Sequence, residues 1–193
     1  MDEKHKVFIS YHHKNDQWAK KELLEYNIEE YIFIESLSDE IIREKIRDEY
    51  LQKSTVTILL VGEETKNRKH IDWEIYSSMY DGKINKKSGI LVIQLPSTSP
   101  NSIILAHGNK EKEYIYPNSK NWKRIESRKE LEEKFPYLPD RIIDNLLKPE
   151  AKISVVRWCD ITADKLKFLI DLAFEDKDSC EYDMNRPMRK KNS

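Results

Sequence analysis

His70 and Glu74 stand four residues apart in HIDWEIYSSM, so a helix over His70–Asp81 puts an imidazole and a carboxylate on one face. The run before it, Thr55–Val61 (TVTILLV), is the clearest buried-strand pattern in the chain, and Gly62 ends it. Ile71, Ile75 and Met79 recur at helical spacing and turn the neighbouring face inward, with Gly82 as a candidate C-cap. Glu74 is thereby aimed at the border between core and crevice, early enough in its helix for the dipole to favour a negative charge. A carboxylate so placed suits acid–base or charge-stabilising chemistry. The competing reading is a solvated helix glutamate, and periodicity alone favours that one.

Other chemistries lack their residues. The four glycines, Gly62, Gly82, Gly89 and Gly108, form neither GxGxxG nor GxxxxGK, which excludes a dinucleotide-binding fingerprint and a P-loop. There is no GxSxG nucleophile elbow. A phosphoacceptor receiver needs clustered acids where this chain has Ser10, Tyr11, His12 and His13. The adjacent His12 and His13 diverge if extended, and no set of three or four ligands converges by spacing, so no metal site is expected. Cys159 and Cys180 form neither a disulfide framework nor a zinc pattern and read as reduced thiols.

The elements that must position these residues alternate. Lys6–Tyr11, Tyr31–Glu35, Thr55–Val61, Gly89–Leu95 and Ile153–Trp158 read as strands. Asp16–Tyr26 reads as a helix with Trp18, Leu23 and Tyr26 toward the core, and a second helix follows a Ser38 cap with Ile42, Ile46 and Tyr50 at four-residue spacing. Thr162–Phe174 is an amphipathic helix with Leu166, Leu169, Ile170 and Ala173 inward. Pro96–Pro149 holds six of the seven prolines and reads as an irregular insertion, with Glu130–Phe135 and Arg141–Leu147 as its helical candidates. Strands alternating with helices imply an α/β fold: a parallel five-strand sheet in the order 2-1-3-4-5, covered on both faces. Ligands of such sheets sit at the carboxyl ends of the strands beside the switch point, here between Ser10–Asn15 and Gly62–Lys69.

Composition bounds the rest. The 193 residues suit one domain, expected over residues 1–177 with the insertion at about 96–150 and a polar, frayed tail over 178–193. Lys and Arg number 34 against 35 Asp and Glu, a net charge of −1 that argues against a dedicated nucleic-acid or anionic-membrane binder. Charged residues reach 36%, so the surface is very polar. No stretch has the length of a membrane span, and MDEKHKVFIS lacks a signal-peptide core, so a cytoplasmic protein is expected.

Three segments taken together resemble a known family. KVFISYHHKND resembles the first strand and following loop of TIR domains, and FIESLSDEIIREKI their second strand and the loop into the next helix. TVTILLVGEETKNRKHIDWEIYSSM resembles the third strand through the catalytic helix. Its V-x-x-x-T-x-N-R-x-x-x-x-x-E-I spacing is especially similar to the TIR-like proteins of bacterial Thoeris antiphage systems. The resemblance covers about residues 4–95, with weaker support from Ile153–Phe174. It implies a flavodoxin-like TIR fold and an NAD+-consuming enzyme that cleaves the nicotinamide–ribose bond. On this resemblance Glu74 is the catalytic glutamate, Ser10, Tyr11 and His12 line the pocket edge, and Ser36, Leu37 and Ser38 fall in the gating loop. His70, Trp73 and Tyr11 then offer flat surfaces for nicotinamide or adenine, and His12 and His13 weak partners for the pyrophosphate.

The reaction needs only one acid. Nicotinamide in NAD+ is already cationic and leaves without protonation, and a carboxylate stabilises the oxocarbenium-like transition state. NAD+ is the substrate, so no separate cofactor is implied. The Thoeris likeness further implies an ADP-ribose-derived, cyclic or conjugated nucleotide signal, a separate effector protein that senses it, a phage-derived trigger, and room for a homo-oligomer. Two departures stand out: His70 occupies a position that is often Trp in catalytic TIR helices, and His12 replaces the usual basic residue after Tyr11. Two other functions fit the same residues, a non-catalytic scaffold acting by homotypic association and an N-glycosidic hydrolase or transferase for another nucleotide.

Overall fold

The structure, a computed structural model, describes residues 5–35, 54–83, 85–119 and 127–192. Five strands, β1 (His5–Ser10), β2 (Tyr31–Glu35), β3 (Val56–Val61), β4 (Gly89–Gln94) and β5 (Ser154–Arg157), form one sheet in the order β2-β1-β3-β4-β5. Every named pairing is parallel. The order and the class are those expected. The α-helices among the described residues are α1 (Gln17–Glu25), α2 (Lys69–Met79), α3 (Asn109–Ile115), α4 (Arg128–Lys134), α5 (Asp140–Leu146) and α6 (Ala163–Asp176).

Each strand feeds two cores because its side chains alternate. Val7 and Ile9 of β1 and Ile58 and Leu60 of β3 meet Ala19 and Leu23 of α1 and Leu166, Leu169 and Ile170 of α6. On the other face Leu59 and Val61 of β3 and Ile90 and Val92 of β4 meet Ile71, Ile75 and Met79 of α2 and Ile142 and Ile143 of α5. β3 and β4 are buried along their whole length, as central parallel strands covered on both faces must be. At Gly89 a Cβ would lie 2.1 Å from the Ala173 carbonyl oxygen, so glycine is what lets α6 pack onto β4. Thr162 caps α6 by accepting from the Lys165 N–H at 3.3 Å.

Several expectations change. Trp18 is 40% exposed and meets Trp158 edge-on at 5.4 Å instead of entering the core. Gly82 is not a left-handed cap; α2 ends at Tyr80 in extended backbone, and Gly108 is the glycine with positive φ among the described residues. Among the described residues the insertion holds three short α-helices where two are read from sequence. α3 escapes periodicity because its seven residues, NKEKEYI, bury only Glu111 and Ile115. Ile104 exchanges both backbone hydrogen bonds with Val155 at 2.8 Å, so the insertion covers the edge of β5. The helix expected after Ser38 lies outside the described residues.

The frayed tail is the largest correction. Residues 180–192 run back over α5 and α2. The Tyr182 hydroxyl donates to the Ser88 carbonyl at 2.8 Å, and Asn145 accepts from the Asp183 N–H at 2.7 Å while its amide donates to the Asp183 carbonyl at 3.2 Å. Arg141 of α5 donates to the Arg186 and Pro187 carbonyls. A polar segment is held here because buried polar groups on two helices need partners, and the tail backbone supplies them.

Candidate functional site

α2 begins just past the carboxyl end of β3 and shows three faces. Ile71, Ile75 and Met79 enter the core. His70, Glu74 and Ser78, one step round, are also buried, at 3%, 0% and 1% exposure. Asp72 and Tyr76 face α5 and the tail: Arg141 of α5 pairs with Asp72 and stacks on the Tyr76 ring.

In β1, Val7 and Ile9 serve the α1–α6 core, so Phe8 and Ser10 project to the α2 side. Ser10 there meets the second face of α2, and its hydroxyl donates to Glu74 Oε2 at 2.5 Å. The seam continues along the helix. The Ser78 hydroxyl donates to the Glu74 carbonyl at 2.8 Å and lies 2.8 Å from Thr57 Oγ1 of β3. A fully buried carboxylate is thus fixed by a hydroxyl from the first strand at the switch point, where open α/β sheets bind ligands.

The loop after β1 brings aromatic rings alongside. Tyr11 stacks on His13 with centroids 4.5 Å apart, and His13 meets His70 edge-on at 6.3 Å. The carbonyl of His12, itself buried, accepts from the Asn15 and Asp16 N–H groups and closes the loop into a tight turn. Of the residues expected to form a site, the fold brings together Ser10, Tyr11, His70 and Glu74, with His12 in the same loop. Trp73 goes elsewhere: its Nε1 donates to the Arg189 carbonyl at 2.9 Å, and Lys69 lies over its ring. Ser36 lies outside the described residues.

Three features carried no sequence signal for the site. Asp16, read only as the start of a helix, is 3% exposed, and burial followed by the charge of Glu63 pushes its carboxyl up to about 6. Asp72 and Arg141, 69 residues apart, form a buried forked ion pair. Glu111, fully buried, accepts from the Ser154 hydroxyl at 2.6 Å and the His107 N–H at 2.8 Å, and burial raises its carboxyl above the usual range. Asp72 and Arg141 are 69 residues apart and Glu111 and Ser154 are 43 apart, too far along the chain for a local pattern to pair them.

Two clefts among the described residues lie apart from Glu74. A cleft of about 890 Å³ opens at the amino ends of β1 and β2, lined by His5, Tyr26, Glu30, Tyr31, Lys167 and Asp171. That is the sheet end at which open α/β folds do not bind ligands. A smaller cleft of about 210 Å³ lies on the tail side of α2, where Arg68 is paired with Glu64 and Arg186 with Asp144. Among the described residues no group of three or more His, Cys, Asp or Glu is placed to hold a metal ion, and no helix is long and apolar enough to cross a membrane.

Two comparisons bear on this geometry. No curated protein matches the chain. The family model described as "Thoeris protein ThsB, TIR-like domain" matches residues 8–100, the stretch from the second half of β1 through β4 together with Ser10, the histidine loop and Glu74. Together with the strand order and the parallel sheet, this match over residues 8–100 supports a TIR-like domain resembling that of Thoeris proteins.

Proposed function

We propose that the protein cleaves NAD+ at the nicotinamide–ribose bond and releases or rearranges the ADP-ribose part into a signalling nucleotide. The observation that carries this reading is the Glu74 carboxylate, buried at the switch-point end of the sheet and held by Ser10 inside a domain of the TIR-like family. In the reaction the bond between the anomeric carbon and the nicotinamide nitrogen breaks, and both its electrons leave with neutral nicotinamide. The anomeric carbon becomes electron-poor, and the Glu74 carboxylate stabilises that charge without changing its own protonation. Water, a hydroxyl of the same molecule, or an adenine nitrogen then supplies the new bond, giving ADP-ribose or a cyclic isomer with loss of one proton. Ser10 orients the carboxylate, and the Tyr11–His13–His70 rings offer faces to a flat base.

The biological setting we propose is antiphage defence in the cytoplasm, with the nucleotide product activating a separate effector after a phage-derived trigger. Homo-oligomer formation belongs to the same proposal. Complete burial of Glu74 supports a resting state with little turnover, because substrate reaches the carboxylate only after the crevice opens.

The test is mass spectrometry of metabolites from cells expressing the protein during phage infection, beside Glu74→Gln. A new nucleotide that depends on Glu74 supports the reading, and its mass identifies the product class. Purified protein incubated with NAD+ and with a nucleoside panel separates an NAD+ glycohydrolase from an enzyme for another N-glycoside. Undiminished NAD+ loss in a folded Glu74→Gln protein overturns the assignment.

A further inference from the structure

Asp16 occupies the N-cap of α1 and yet does not cap it. Its backbone sits at φ −114° and ψ 12°, and its side chain accepts no bond from the first turn of the helix. An aspartate at this position normally satisfies one of the free N–H groups there. The carboxyl instead crosses to the end of β3. A Cβ built on Gly62 would lie 2.5 Å from Asp16 Oδ2 and 2.6 Å from Oδ1, so the seat exists only because residue 62 has no side chain. The residue is 3% exposed, and Oδ2 finds no hydrogen-bond donor among the described residues.

The seat lies between the two loops that bound the switch point. One is the His12–Asp16 turn, which follows Ser10 and Tyr11; the other begins at Gly62, whose N–H donates to Thr65 Oγ1 at 2.8 Å. The charged and titratable groups on the elements packed here are His12, His13 and Lys14 in the turn, Lys20, Lys21, Glu22 and Glu25 on α1, and Glu63, Glu64, Lys66 and Arg68 after β3. Glu64 is taken by Arg68 at 2.8 Å. Glu63 is the charge that acts on Asp16, and it acts against ionisation. A carboxyl in this setting is comfortable when neutral and costly when charged.

We propose that Asp16 is a latch on the carboxyl-end crevice: neutral, it packs the loop carrying Tyr11 and His12 onto the end of β3, and charged, it releases that loop. Its ionisation falls near 6 through burial and Glu63, so the latch is closed in mild acid and released at neutral pH and above. The inference stands on packing and is independent of the NAD+ reading.

Hydrogen exchange of the whole protein at pH 5 and pH 8, corrected for the intrinsic pH dependence of exchange, tests it. Peptides covering residues 11–16 and 60–68 are expected to lose protection by about tenfold or more between pH 5 and pH 8, while β4 peptides do not. Asp16→Asn, of the same shape and never charged, is expected to stay protected at both values. Gly62→Ala, which drives a methyl group into the seat, is expected to be unprotected at both. Wild-type protection that does not change with pH overturns the latch. So does an Asp16→Asn protein that follows the wild-type curve, since the loop histidines would then carry the effect. Because the readout is protection, a failure here is distinct from a failure of NAD+ cleavage.

Discussion

Asp72 and Glu74 stand two residues apart on α2, both are buried, and they are held in opposite ways. Asp72 accepts both prongs of the Arg141 guanidinium at 2.9 and 3.1 Å and the Arg189 N–H at 2.7 Å. Arg141 also donates to the Arg186 and Pro187 carbonyls and lies 5.0 Å from the Tyr76 ring centroid. That cluster ties the insertion helix α5 and the tail to α2. Glu74 faces the other way and takes the Ser10 hydroxyl, a neutral donor on the first strand. A carboxylate saturated by a forked guanidinium serves packing and cannot turn to a ligand without leaving Arg141 buried and uncompensated. Glu74 is positioned by a rotatable hydroxyl, a donor that brings no charge of its own. The tail side of α2 therefore anchors the helix so that the sheet side can present Glu74.

The comparison can be broken at several points. Arg141→Met should cost the most, about 3–5 kcal/mol in urea unfolding, because it strands the Asp72 charge in the interior. Pairing it with Asp72→Leu should recover much of that loss, as an apolar pair replaces an ionic one; no recovery would mean that the tail carbonyls, not the ion pair, carry the stabilisation. Glu74→Gln should lower NAD+ turnover by about 10²–10³-fold while its melting temperature stays at or above that of the wild type. A large loss of stability in Glu74→Gln would place this carboxylate with Asp72 as a structural group.

Asp16 adds a third kind of buried acid, one with no donor on Oδ2 among the described residues. Its folded-state value, about 6, lies above its ordinary value of 3.8, so the stability it lends is present below the unfolded value and is lost as pH rises through about 6. Asp16→Asn should thus gain about 2 kcal/mol over wild type at pH 8 and nothing at pH 4, measured by thermal unfolding across that range. Ser10→Ala should have the smallest effect, about 1.5 kcal/mol, seen as about a tenfold fall in kcat with little change in KM, since the hydroxyl orients Glu74 rather than touching substrate. A change confined to KM would move Ser10 from positioning to binding.

Much of the framework was legible because it rests on local period. Thr55–Val61 and Gly89–Leu95 are uninterrupted apolar runs of strand length, and Ile71, Ile75 and Met79 repeat every turn of a helix. These patterns, with right-handed crossovers, leave little choice of sheet order. Glu74 was visible for the same reason, as the residue beside an inward stripe. The failures share a cause as well. Trp18 looked like a core residue by type, yet it lies on the surface against Trp158. The tail looked frayed because it is polar, but its carbonyls were needed by Arg141 and Asn145. Trp73 is expected among the flat surfaces for a base, but a helix turns by about 100° per residue, and the residue just before Glu74 is directed to Arg189 instead.

By itself, then, the sequence determined the alternation of strands and helices, the sheet order, and the carboxylate at the edge of an inward helical face. All are set by the spacing of residue types over one or two turns. The tertiary structure decided which group each buried acid meets. Asp72 meets Arg141 across 69 residues, Glu74 meets Ser10 across 64, and Asp16 meets Gly62 across the mouth of two strands. Charge compensation in an interior depends on distance in space, and no local pattern in the chain records it.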